Sequence, residues 1–225
     1  MVLAGVILIS GGAMADSVTQ LTSPAQLSGG DTTLIYSGTI GSTPASPVTF
    51  TAGANTLTFS DTGGIFELDQ AANNYFGTSF ADNTIILFAA GFSGPGGPVT
   101  LTFSQPVTEF GVNIEEFAAG PYTVTFTAFD GATPLGTFMA SGCDPASGTC
   151  PTPNGALSFE GLQTTGSLKI TSVVFTDNNT PNDDLGLGPV TFGGPSSQVP
   201  EPSSLSLLAL AFAGMALFTA FRRLP

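Results

Sequence analysis

The sequence contains no histidine and no tryptophan, and only three Lys and Arg residues stand against 16 Asp and Glu in 225 residues. Without histidine there can be no Ser–His or Cys–His nucleophilic site and no His-ligated zinc. Two of the three cations, Arg222 and Arg223, lie at the C-terminal end, which leaves Lys169 alone in the body. One cation cannot neutralise a row of phosphates, which argues against a nucleic-acid partner. Lys169 falls in the alternating run Leu168-Lys169-Ile170-Thr171 and reads as a solvent-facing strand residue rather than half of a Ser–Lys pair. With Trp absent, Tyr36, Tyr75 and Tyr122 are the remaining amphipathic aromatics, a thin supply for stacking on sugars.

Charged residues make up only 8% of the chain, while Gly (29) and Pro (17) are abundant. A composition of that kind suits disorder, but 42% hydrophobic residues and 19 Phe supply a buried core. The formal charge of −13 fits an extracellular medium rich in divalent cations. The N-terminus reads MVLAGVILISGGAMA: an apolar run, then Gly11-Gly12, then the small-x-small pattern Ala13-Met14-Ala15. That is the core and cleavage site of a secretory signal over residues 1–15, with a mature start near Asp16, although no Lys or Arg precedes the apolar run.

Between the ends the apolar pattern has period two. Val99-Thr100-Leu101-Thr102-Phe103, Tyr122-Thr123-Val124-Thr125-Phe126 and Thr56-Leu57-Thr58-Phe59 alternate apolar residues with Thr, as strands with one wet face do. Further strands are expected at residues 34–36, 48–51, 65–68, 84–89, 110–115, 136–140, 156–159, 168–175 and 190–192. Asp130-Gly131 reads as a hairpin turn, and residues 91–98 as a Gly/Pro-rich loop. No body segment carries a helical period. The expectation is an all-β fold over residues 16–198, an antiparallel β-sandwich of jelly-roll type. Residues 103–136 resemble the galactose-binding and carbohydrate-binding sandwiches of exported proteins, a likeness of pattern rather than of motif.

Cys143 and Cys150 are the only cysteines, close together in the turn-rich stretch SGCDPASGTCP. An even count in an exported chain predicts one local disulfide, which closes a small loop and stabilises by about 2–3 kcal/mol. For catalysis, glycoside hydrolysis needs two acids about 5–10 Å apart across the sugar bond. The pairs Glu115-Glu116 and Asp183-Asp184 are sequence neighbours, and neighbours on a strand point to opposite faces, so they read as strand-end and loop acids and no enzyme is expected. The stretch Asp177-Asn178-Asn179-Thr180-Pro181-Asn182-Asp183-Asp184 is richer in oxygen donors. Calcium takes six to eight oxygen ligands, so Asp177, Asp183 and Asp184 are candidate ligands of a structural calcium, though the spacing is not that of an EF-hand and the same residues make turns.

The last segment reads VPEPSSLSLLALAFAGMALFTAFRRLP. Residues 205–221 form an apolar run that, at about 1.5 Å per residue, spans roughly 26 Å and has no polar face, the pattern of a transmembrane helix near the lower length limit. Arg222 and Arg223 follow at once and hold that end in the cytoplasm, which puts the body outside. Pro200-Glu201-Pro202, the apolar run and Arg222-Arg223 together resemble the PEP-CTERM sorting signal of Gram-negative bacteria, over residues 199–225 only. The resemblance implies recognition by an exosortase-type membrane enzyme that cleaves near Pro-Glu-Pro, anchoring in the inner membrane beforehand, and a place at the cell surface or in the exopolysaccharide matrix. The same tail occurs on some proteins described as ice-binding.

Three functions compete for the body: a non-enzymatic surface or matrix protein that binds carbohydrate, a secreted glycan-active enzyme using acidic residues, and an ice-binding or adhesion protein presenting a Thr-rich face. The first asks least of the sequence. The third needs ordered Thr rows, and no fixed-length repeat aligns the threonines.

Overall fold

The computed structural model describes residues 15–62, 65–70, 80, 83–89, 98–116, 120–144, 158–177 and 185–193, with the backbone alone at 70, 116, 144 and 177. The chain divides into a unit of Met1–Gly194 and a unit of Pro195–Pro225, and all described residues belong to the first.

The alternating runs become strands in order: β1 (Ser17–Leu21), β2 (Thr32–Leu34), β3 (Val48–Ala52), β4 (Asn55–Asp61), β5 (Phe66–Gln70), β6 (Ile85–Ala89) and β7 (Val99–Val107). The second half adds β8 (Glu109–Glu116), β9 (Gly120–Asp130), β10 (Thr133–Asp144), β11 (Ser158–Thr165), β12 (Ile170–Asp177) and β13 (Leu185–Gly193). A 3-10 turn, Pro24–Gln26, is capped by the Ser23 hydroxyl, which accepts the Ala25 N–H at 3.3 Å.

All pairings are antiparallel, and they form two sheets. The seven-stranded sheet runs β1-β11-β8-β13-β6-β5, with β2 also on β13; the six-stranded sheet runs β10-β9-β12-β7-β4-β3. From β6 onward the chain changes sheet at every connection except β9–β10. That one hairpin turns at Asp130-Gly131 as expected, with Gly131 in the left-handed region at φ 59°.

Inward-facing apolar residues of both sheets make one core. Phe110 on β8 meets Phe126 on β9 and Phe175 on β12, each with ring centroids 6.4 Å apart and nearly perpendicular planes. Phe103 on β7 reaches Phe192 on β13 at 5.8 Å, so aromatic contacts tie one sheet to the other. Each such pair adds about 0.5–1.5 kcal/mol beyond area burial. Tyr36 sits against Phe50 and Phe59, and its hydroxyl donates to the Gly188 carbonyl at 3.0 Å. Burial holds the Tyr36 phenol well above its ordinary pKa.

The structure differs from the sequence reading in several places; β11 (Ser158–Thr165), for one, runs six residues past the strand expected at 156–159. β1 was not expected; it pairs with β11, and Asp16 beside it accepts the Ser167 N–H at 2.7 Å and hydroxyl at 2.9 Å. Those bonds pull the exposed Asp16 carboxyl below its usual range. The expected strand at 34–36 lies two residues earlier, at Thr32–Leu34, because Tyr36 is fixed by its hydroxyl bond and packing instead of a ladder. Lys169 lies just before β12 and is half-buried, with its N–H on the Asp130 carboxylate at 3.2 Å. Glu115 is not a strand-end acid on the surface: it lies within β8 at 1% exposure.

Candidate functional site

The residues singled out by the sequence lie mostly outside the described region. Pro200, Glu201, Pro202, Arg222, Arg223 and the apolar run at 205–221 all do, as do the signal segment, the 91–97 loop, Cys150, Asp183 and Asp184. No helix among the described residues is long and apolar enough to cross a membrane. Cys143 stands on β10 opposite Pro121 of β9 and is not a free thiol. The Asp177 backbone closes β12 opposite Val124. Among the described residues, no cluster of three or more His, Cys, Asp or Glu could hold a metal.

The described residues themselves build two distinct surfaces. The first is the outward side of the six-stranded sheet, where register aligns hydroxyl side chains in rows across the strands. One row runs Thr49, Thr58, Thr102, Ser172 and on to Phe129. The next runs Ser60, Thr100, Val174, Thr127 and Thr137. Thr176, Thr125 and Met139 form a third, Thr123 with Ser141 a fourth, and Thr51 with Thr56 flank the first. Within these rows every outward position other than Phe129, Val174 and Met139 is Thr or Ser, and none is ionisable. Neighbours in a row stand about 4.8 Å apart and successive rows about 7 Å apart, as strand spacing and rise dictate. The hydroxyls also bond one another, as in Thr127 with Thr137 at 2.9 Å and Thr49 with Thr58 at 3.3 Å. Each hydroxyl has one donor and two acceptor positions, so these bonds leave capacity facing outward.

The second surface is the outward side of the seven-stranded sheet, and it is covered in part, with Thr19 and Thr33 still exposed on it. Ile86 is fully buried, and Phe80, Phe88 and Phe159 nearly so, yet all four lie outside the central core cluster. Phe159 lies over Gly111, where an added Cβ would come within 2.3 Å of its ring. At the other end of β8, Glu109, at 4% exposure, meets Asp31 from the turn before β2. A Cβ on Gly193 would sit 2.5 Å from Asp31 Oδ1 and 2.8 Å from Glu109 Oε1, so both oxygens converge on a point that glycine alone leaves open. The Ser28 N–H (3.3 Å) and the Gln163 amide (3.2 Å) donate to Glu109 Oε2.

Desolvation, then the Glu109 charge and a side-chain bond to Glu109, push the Asp31 carboxyl up to about 6 against the pull of the Ser28 N–H. The two carboxyls lie against each other rather than spread across a cleft wide enough for a sugar bond. Asp31 Oδ2 is buried and accepts no hydrogen bond from the described residues. Glu160 on β11, another buried acid, is held above the usual carboxylate range by burial, opposed by bonds from Ser158 and Gln20. Neither the Asp31–Glu109 pair nor the Thr rows carries a local sequence signal. Both arise from long-range register, although the Thr alternation along each strand was visible.

The comparison with curated proteins gives no match. The family comparison identifies residues 198–223 as the PEP-CTERM protein-sorting motif, in agreement with the Pro-Glu-Pro, apolar and Arg-Arg order of the tail. Residues 198–223 therefore carry a PEP-CTERM sorting motif, which supports an exported protein sorted by an exosortase-type enzyme.

Proposed function

We propose that the chain is a non-enzymatic exported protein whose sandwich is displayed outside the cell, in the exopolysaccharide layer, and engages carbohydrate there. The observation that carries this reading is the sorting motif at residues 198–223, which begins a few residues after the last strand, β13, ends at Gly193. A domain joined so closely to its sorting tail travels wherever the tail is delivered. In this reading residues 205–221 hold the protein in the inner membrane, with Arg222 and Arg223 inside, until processing near Pro200-Glu201-Pro202 releases the body.

Strand order supports a jelly-roll winding: β6-β13-β8-β11 in one sheet faces β7-β12-β9-β10 in the other, as two interlocked Greek keys require. Jelly rolls are common among lectin domains, which favours the carbohydrate reading. A Cys143–Cys150 disulfide that tightens the loop after β10 suits an oxidising exterior. A calcium held by Asp177, Asp183 and Asp184 would brace the β12–β13 connection.

Deleting residues 205–225 tests the reading. The intact chain is expected in the membrane fraction before processing, and the deletion variant in the periplasm or medium. A deletion variant that still sediments with the inner membrane, or an intact chain confined to the cytoplasm, overturns it.

A further inference from the structure

We propose that the outward face of the six-stranded sheet is the docking surface, and that its partner is a neutral polysaccharide, free of carboxylate, sulfate and amino groups. The proposal deepens the display reading above and rests on it.

Charge selects the partner. The chain carries a formal charge of −13, so a polyanion is repelled from the molecule as a whole. The rows running from Thr49 to Phe129 and from Ser60 to Thr137 contain no carboxylate, so a polycation finds no counter-charge on this face. An uncharged, hydroxyl-bearing polymer meets neither obstacle.

Side-chain chemistry points the same way. A threonine hydroxyl donates one hydrogen bond and accepts two, which matches the hydroxyls of a sugar. Its β-branch leaves few rotamers to lose on binding, so ordering the face costs little entropy. The methyl groups, with half-exposed Phe129 and the 66%-exposed Met139, give the apolar C–H side of a sugar ring something to rest on. Strand pairing fixes the whole array in a regular grid, so a polymer with repeating hydroxyls gains several contacts at once and avidity replaces strong single contacts.

The test uses the full-length chain in detergent, with dextran, starch and cellulose as neutral probes and alginate as the anionic one. The triple variant Thr58→Val, Thr102→Val and Thr127→Val removes three hydroxyls at nearly constant shape, and Thr33→Val with Thr191→Val makes the matching change on the other sheet. Wild type is expected to bind at least one neutral polymer with little change between 50 and 500 mM salt. The triple variant is expected to lose at least tenfold in affinity with its melting temperature unchanged, and the control variant to keep its binding. Preference for alginate, full binding by the triple variant, or failure of all three neutral polymers overturns the proposal. Tail-dependent membrane retention is scored separately, so a failed face leaves the display reading standing, whereas loss of export removes both.

Discussion

On the outward side of β7, Thr100 is half-exposed and Thr102 exposed, whereas on the outward side of β6, Ile86 and Phe88 are buried. Both strands pack their inward residues, such as Leu101 and Leu87, into the same core. What separates them is the cover on the seven-stranded sheet, and the cover decides which chemistry each face can carry. On that side Asp31 is desolvated beside Glu109, and its carboxyl is pushed up to about 6. In the open, hydroxyls remain wet and free to exchange water for a ligand. One sheet therefore spends its outer side chains on stability, and the other keeps them for contact.

The sharpest way to break this comparison is to alter one outward side chain on each sheet. Phe159→Ala on the covered sheet is expected to cost about 3–4 kcal/mol, because its ring fills the space over Gly111 and leaves a cavity. For a domain of this size that lowers Tm by roughly 6–15 °C. Thr102→Val on the open sheet is expected to change stability by less than about 0.5 kcal/mol. Equal losses in urea or thermal melts would show that the two faces do not differ.

Adding atoms makes a smaller but related test. Gly111→Val drives a Cβ into the Phe159 ring and is expected to cost about 1–3 kcal/mol, since ring and strand must both shift. Ser172→Val, at an outward site of the six-stranded sheet, has room and is expected to be neutral or slightly stabilising through strand propensity. If Gly111→Val melts with wild type, the cover is loose and the distinction between the faces weakens.

The open face could be read from the sequence more readily than the covered one, for a physical reason. Val99-Thr100-Leu101-Thr102-Phe103 alternates because one side of β7 is wet, so both the strand and its outward threonines are visible in the chain. The β6 sequence Ile-Ile-Leu-Phe-Ala is apolar on both sides, which marks a strand but does not say what covers it. β1 passed unnoticed because Ser-Val-Thr-Gln-Leu follows the leader directly, with no turn to set it off. Alignment of Thr49 with Ser172 across four strands was not legible, since loops of unequal length absorb the offsets that a fixed repeat would display. Asp31 and Glu109 are joined only by folding. The sorting tail is the opposite case, because its meaning lies in local order and survives without any fold.

The smallest effect expected, and the most specific, is in the pH dependence of the covered face. The Asp31 carboxyl is raised to about 6 in the folded chain from an ordinary value near 3.8, so the fold prefers it protonated. Its contribution to stability is therefore complete below about pH 4 and is lost as pH rises through about 6. Asp31 is only half-buried, and solvent screening trims the loss to about 1 kcal/mol, or roughly 2–4 °C in Tm. Glu160, on the inward side of β11 opposite Val112, is shifted in the same direction and adds to the slope. Asp31→Asn keeps the shape, offers Glu109 an amide N–H, and removes the charge at position 31. At pH 7–8 it is expected to melt above wild type and at pH 4 together with it, with a shallower fall between. Glu160→Gln should remove part of what remains. If Asp31→Asn follows the wild-type profile across the whole range, Asp31 is not desolvated beside Glu109, and this face lacks the desolvation that distinguishes it from the open one.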